Sequence, residues 1–278
     1  MGILRRGKGP DAAPSDAGAD ETDVEDVPVG PTGRALHSVG AYFEAAFRRF
    51  GINFTGYLLT TALCGLPTAV LIAVFRNTAL SGELMGVLLS LAYALGFVAV
   101  AALSTTLVAG GGRERLPSIL VACGVTGVVA GLVIWQVVFL AIVLLPFALF
   151  PPIIAASGDV SGLRAVAAGA EATFRWFRRA YACVFGLVIV AVALWVGFTG
   201  LFFAVPGSLR GDLILGFTSL FMWPVAALVF RNLYGDMTGR LVIREAPGEN
   251  ERRRAAMKAR RERGRRNRKR LERVADDD

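Results

Sequence analysis

Residues 116–158 are 43 consecutive positions without one charged side chain. As a single helix that stretch would be about 64 Å long, roughly twice the thickness of a hydrocarbon core. A spanning helix needs about 20 apolar residues, so the stretch predicts two antiparallel crossings. The turn between them is expected near 135–138, where Trp135 and Gln136 suit a membrane interface.

The rest of the chain fits the same frame. Of its residues 54% are hydrophobic and 19% charged, and the charges gather in the two tails and in short clusters, an apolar excess outside the soluble range. Segments 54–75 and 84–107 are long enough to span, and 181–203 and 213–230 complete six crossings. Lys and Arg collect on cytoplasmic sides of short loops, which tests the count independently. With an internal N-terminus, the inside segments hold Arg48 and Arg49, then Arg113 and Arg115, then Arg164, Arg175, Arg178 and Arg179, then the tail. Only Arg76 and Arg210 fall outside. The expected fold is all-α: a polytopic transmembrane helical bundle of six spans with two interfacial amphipathic helices, in the plasma membrane with both termini cytoplasmic.

Those amphipathic helices are expected at 34–50 and 163–180. In the first, Leu36, Val39, Phe43, Ala46, Phe47 and Phe50 recur at helical spacing, while Arg34, Glu44 and Arg48 take other faces. Either an acyl boundary or the bundle would satisfy that face. The second sets Leu163, Val166, Ala170, Phe174, Phe177 and Tyr181 against Arg164, Glu171, Arg175 and Arg178. Glu-Ala-Ala-Phe-Arg-Arg-Phe at 44–50 recurs as Glu-Ala-Thr-Phe-Arg-Trp-Phe at 171–177, matching at five of seven positions; a degenerate repeat and convergence on one pattern both account for it.

The membrane domain is expected to cover 34–244, between two tails. Residues 1–33 carry seven acidic side chains with four prolines, a composition expected to be disordered. An apolar signal core is missing from this stretch, so no cleaved signal is expected, and Arg6 stands where a myristoylation motif wants Ser or Thr. In the tail 245–278, thirteen Lys/Arg stand between 252 and 273 against Glu262 and Glu272, a local charge of +11. Such a tail fixes topology and attracts anionic lipid. It has no aromatic residue for stacking on bases, so no specific nucleic-acid partner is expected.

Side chains that carry chemistry are scarce. Cys64, Cys123 and Cys183 fall in separate apolar runs and read as buried free thiols. His37 is the sole histidine and reads as an interfacial polar side chain; Asp159, Glu171, Asp212 and Asp236 form no motif. The expected spans contain no ionisable residue, which disfavours ion coupling. Prolines 67, 146, 151, 152, 206 and 224 are expected to kink or end spans, and Gly127-x-x-x-Gly131 would allow close helix approach within or between chains. No catalytic, metal or cofactor-binding residue is expected, and no cofactor. The candidate site is an anionic-lipid contact through Arg175, Arg178, Arg179, Arg252, Arg253, Arg254, Arg265 and Arg266.

Three features carry a family resemblance over about residues 40–244: the amphipathic entry 41–54, the proline-rich fourth span 146–154 with its Arg-rich following helix, and the closing Pro224…Tyr234-Gly-Asp236-Met-Thr-Gly-Arg240. The last is similar to a Tyr-x-Asp-Leu-x-x-Arg ending, with Met237 in place of leucine. Together they resemble a family of six-span bacterial membrane proteins like the membrane domain attached to some glycerophosphoryl diester phosphodiesterases. The activity of that family lies in a separate soluble barrel, so the resemblance implies no catalytic residue here. The resulting expectation is a noncatalytic scaffold or accessory protein with membrane lipids and an unknown membrane protein as partners. A transporter or permease subunit comes second, and a lipid enzyme third.

Overall fold

The computed structural model describes residues 36–78, 81–109, 113–137 and 140–239. The two tails, with Arg252, Arg253, Arg254, Arg265 and Arg266, lie outside the described residues. Within them the chain forms eight α-helices and no strand: α1 Val39–Ile52, α2 Phe54–Asn77, α3 Gly82–Ala109, α4 Leu116–Gln136, α5 Leu140–Ser157, α6 Leu163–Arg175, α7 Phe177–Leu201 and α8 Gly207–Met237. All but α1 and α6 are long and apolar enough to cross a membrane. The uncharged stretch divides as its length demands, with α4 ending at Gln136 and α5 starting at Leu140.

Burial orders the six long helices. In α5 and α8, 56% of the most apolar window is buried, against 6% in α2. The first two form the centre, where Phe150 and Phe230 meet edge to face at 5.2 Å among buried Leu149, Ile153, Ile154, Leu228 and Leu233. The outer helices α2 and α7 instead present Leu59, Leu63, Leu66, Ile189, Val192 and Val196 outward. Apolar rows of that extent are unfavourable in water and are solvated by lipid tails, so this is a multi-pass integral membrane protein.

Small residues set the closest approaches. A Cβ on Gly131 would lie 2.8 Å from the Cα of Leu91, and one on Gly127 would lie 2.6 Å from the Leu95 side chain. The G-x-x-x-G pair therefore forms the seam between α4 and α3 of one chain. Prolines 146, 151 and 152 lie inside α5 without ending it. Gly169 of α6 sits directly on Pro151, where a Cβ would be 2.5 Å from the ring.

The amphipathic helices differ in detail from the sequence reading. In α1 the buried stripe is Tyr42, Ala45, Ala46 and Phe50, so the helix packs chiefly on α8, and Phe47 is exposed. In α6 the buried stripe is the small set Ala165, Gly169 and Thr173, because only small side chains fit against α5, while Leu163 and Phe174 point outward. That helix stops at Arg175; Phe177, Arg178, Arg179 and Tyr181 belong to the start of α7. The last helix extends beyond the expected 213–230 span at both ends, so Arg210, Asp212, Arg231 and Asp236 lie in the same helix while the span itself holds no charged residue.

Candidate functional site

Asp236, in the last turn of α8 and only 9% exposed, holds together one end of the bundle. Burying a carboxylate is costly unless its lone pairs are met, and here they are. One oxygen, Oδ2, accepts from the His37 backbone N–H at 2.8 Å and from the Tyr42 hydroxyl at 2.6 Å; the other, Oδ1, pairs with His37 Nδ1 at 2.9 Å. From α7, Arg179 closes the circle by donating to the His37 carbonyl at 2.8 Å and to the Tyr42 oxygen at 3.0 Å. Burial first, then the Asp236 carboxylate, pushes the Tyr42 phenol far above its ordinary range, so it stays a donor at any working pH. Asn232, one turn earlier, donates to the Tyr42 carbonyl at 3.0 Å and accepts from Arg49 at 3.3 Å.

A second set of contacts ties neighbouring helix ends at the same end of the bundle. Tyr234 of α8 donates to Asp159 at 2.7 Å. Arg115, just before α4, donates to the carbonyls of Ala156 and Ser157 at 3.1 and 3.0 Å, supplying partners to the unpaired C-terminal carbonyls of α5. Its guanidinium lies where a side chain on Gly158 would be, and that glycine has φ +78°, a conformation only glycine adopts freely. At the opposite end Arg76 of α2 pairs with Asp212 of α8.

Sequence reasoning saw the arginines of this end but not their division of labour. Arg175 and Arg178 are exposed, as a lipid contact requires, whereas Arg179 is half-buried in the Asp236 clasp. The sequence offers His37 as an interfacial polar side chain and Asp236 as part of no motif, because 199 positions separate the two. The available signal was the run from Tyr234 to Asp236, whose tyrosine and aspartate both make contacts between elements. Among the described residues no group of three His, Cys, Asp or Glu side chains is placed to hold a metal ion. All three cysteines are free, Cys123 and Cys183 buried and Cys64 half-buried.

Arg49 and Arg231 form a different kind of arrangement. They are half-buried on α1 and α8, within electrostatic range of each other and of the buried Tyr57 on α2. Burial pushes the Arg49 guanidinium below its ordinary range, Tyr57 opposes that effect, and Arg48 adds to it. The Nε of Arg231 is buried without a hydrogen-bond partner.

Two apolar cavities lie toward the other end. One of about 610 Å³ is bounded by α2, α3 and α8, with Arg76 and Asp212 at its edge; another of about 260 Å³ lies among α3, α4, α5, α7 and α8. The wall they share carries Tyr93, Ser219 and Trp223, with the Tyr93 hydroxyl 3.0 Å from Ser219 Oγ and accepting from Trp223 Nε1 at 3.2 Å.

Comparison of the chain with protein-family models, with curated proteins and with solved structures gave no match.

Proposed function

We propose that this protein is a noncatalytic scaffold or accessory protein of the plasma membrane, with both termini in the cytoplasm and an arginine-rich inner face that engages anionic headgroups. The observation that carries the reading is the use made of the polar groups at that face. His37, Tyr42, Arg115, Asn232 and Asp236 hydrogen-bond one helix or loop to another, which is structural employment, and Arg175 and Arg178 are left outward. The similarity to the membrane domain of glycerophosphoryl diester phosphodiesterases belongs to this proposal and agrees with it, since Tyr234 and Asp236 bond between elements rather than lining a reaction site. A transporter or permease subunit is the second reading, favoured by the 610 Å³ cavity with its charged edge.

Purified protein in liposomes, supplied with divalent cations and phosphodiester lipids, is expected to release no product above empty liposomes. Metal-dependent turnover that survives repurification would contradict the noncatalytic reading.

A further inference from the structure

We propose that Arg49, Arg231 and Tyr57 form a binding site for the phosphate group of an anionic phospholipid headgroup. This deepens the lipid-engaging reading above by naming where a headgroup sits, and the two can fail separately.

Like charges held close and half out of water repel, and proteins offset that with a carboxylate or leave the groups in solvent. Here no carboxylate of the described residues offsets them, and both are only partly in solvent. The ion pairs among the described residues are His37 with Asp236 and Arg76 with Asp212, and neither includes Arg49 or Arg231. The nearest acid along α8, Asp236, has its oxygens occupied by His37 and Tyr42. The Arg49 side chain makes one hydrogen bond to a described residue, a long one of 3.3 Å to a neutral amide oxygen. The buried Nε of Arg231 lacks an acceptor, and Tyr57, its ring stacked 6.1 Å from that of Phe50 next to Arg49, donates to no described residue. The place therefore holds two cations and surplus donors, and lacks an anion with several acceptor oxygens.

A phosphodiester supplies both. Guanidinium forks match its non-bridging oxygens, and one negative charge between the arginines turns their repulsion into attraction. A lipid is favoured over a soluble phosphate by the surroundings. Phe47 and Ile52, within three positions of Arg49 on α1, and Phe54 at the start of α2 are exposed, an apolar flank suited to the acyl chain below a headgroup.

The test titrates the full-length protein in detergent with phosphatidylglycerol, and separately with inorganic phosphate, following the unfolding midpoint and the lipid retained in native mass spectrometry. Phosphatidylglycerol should bind saturably and raise the midpoint, with inorganic phosphate competing weakly. Arg49→Gln and Arg231→Gln should each weaken retention about tenfold or more, and Arg231→Lys, which keeps charge but loses the fork, should fall between. Without lipid, Arg231→Gln should unfold no earlier than wild type, because it removes a repulsion; a simple structural role would lower its midpoint. Wild-type retention by both glutamine variants would overturn this site while leaving the broader lipid reading intact. If phosphatidylglycerol fails to bind the wild type at all, both readings fall. Inorganic phosphate that stabilises as fully as the lipid, and displaces it at equal concentration, would overturn the lipid assignment.

Discussion

Asp236→Ala is expected to be among the most destabilising single substitutions in the chain. The carboxylate receives the Tyr42 hydroxyl at 2.6 Å, the His37 backbone N–H at 2.8 Å and His37 Nδ1 at 2.9 Å. Its removal strands the phenol, which is fully buried, and takes the counter-charge from Arg179 behind it. Breaking one partner of a buried charged network costs about 3–5 kcal/mol, since the groups left behind keep their desolvation penalty. In a domain of this size that is a fall of about 10 °C in the unfolding midpoint. Asp236→Asn keeps the shape and one acceptor oxygen and should lose less. Tyr42→Phe removes one donor to Asp236 and one acceptor from Arg179, both of which keep other partners, and should cost about 1–2 kcal/mol. The order Ala, then Asn, then Phe is the signature of a hub; equal small effects from all three would mean that the clasp contributes little. The readout is thermal unfolding of the purified protein, together with protease sensitivity of the segment that carries His37, which the loss of Asp236 should release.

Gly131→Leu is expected to disrupt the packing of α4 on α3. The nearest atom to its new Cβ would be backbone, the Cα of Leu91 at 2.8 Å, with the Leu91 side chain at 2.9 Å and the carbonyl oxygen of Ser90 at 3.1 Å, and the backbone atoms can retreat only if the helices separate. Overpacking typically costs about 1–3 kcal/mol, and lost contact along the seam adds to it. Gly127→Leu should be somewhat milder, because its closest neighbour is the flexible end of Leu95. Gly124→Leu is the control on the same helix: nothing lies within 4 Å of its Cβ, so little change is expected. The yield of monodisperse protein and its midpoint separate the three variants. Should Gly131→Leu keep wild-type stability while dissolving a dimer, the seam lies between chains and not within one.

The two substitutions also mark where reading the sequence succeeds and where it stops. Span positions follow from local apolar length, a property that each segment carries by itself, and for this reason the break after Gln136 and the six crossings were legible. Close packing at Gly127 and Gly131 was legible as a tendency, but the partner was not, because a glycine exposes backbone equally to a neighbour in the same chain or another. Whether the apolar face of α1 meets lipid or the bundle stays open in the sequence, and which face of α6 seats on α5 is not legible there, for a related reason. Large apolar residues advertise an apolar face, yet in a membrane that face is solvated by lipid, and the seam goes to small side chains such as Ala46, Ala165 and Gly169. Asp236 was illegible as a hub because its partners, His37 and Tyr42, come from the opposite end of the sequence and meet it only once α1 lies on α8.

Six crossings with the arginine-rich end inside are tested most directly by reporter fusions in cells. Fusions after Arg113, Arg175 and Arg244 should report cytoplasm, and fusions near Gly82, Gln136 and Gly211 should report the external side. A cytoplasmic signal at Gln136 would reduce residues 116–158 to something other than two crossings. An external signal after Arg244 would put the basic tail on the wrong side of the membrane and contradict the six-span arrangement with cytoplasmic ends.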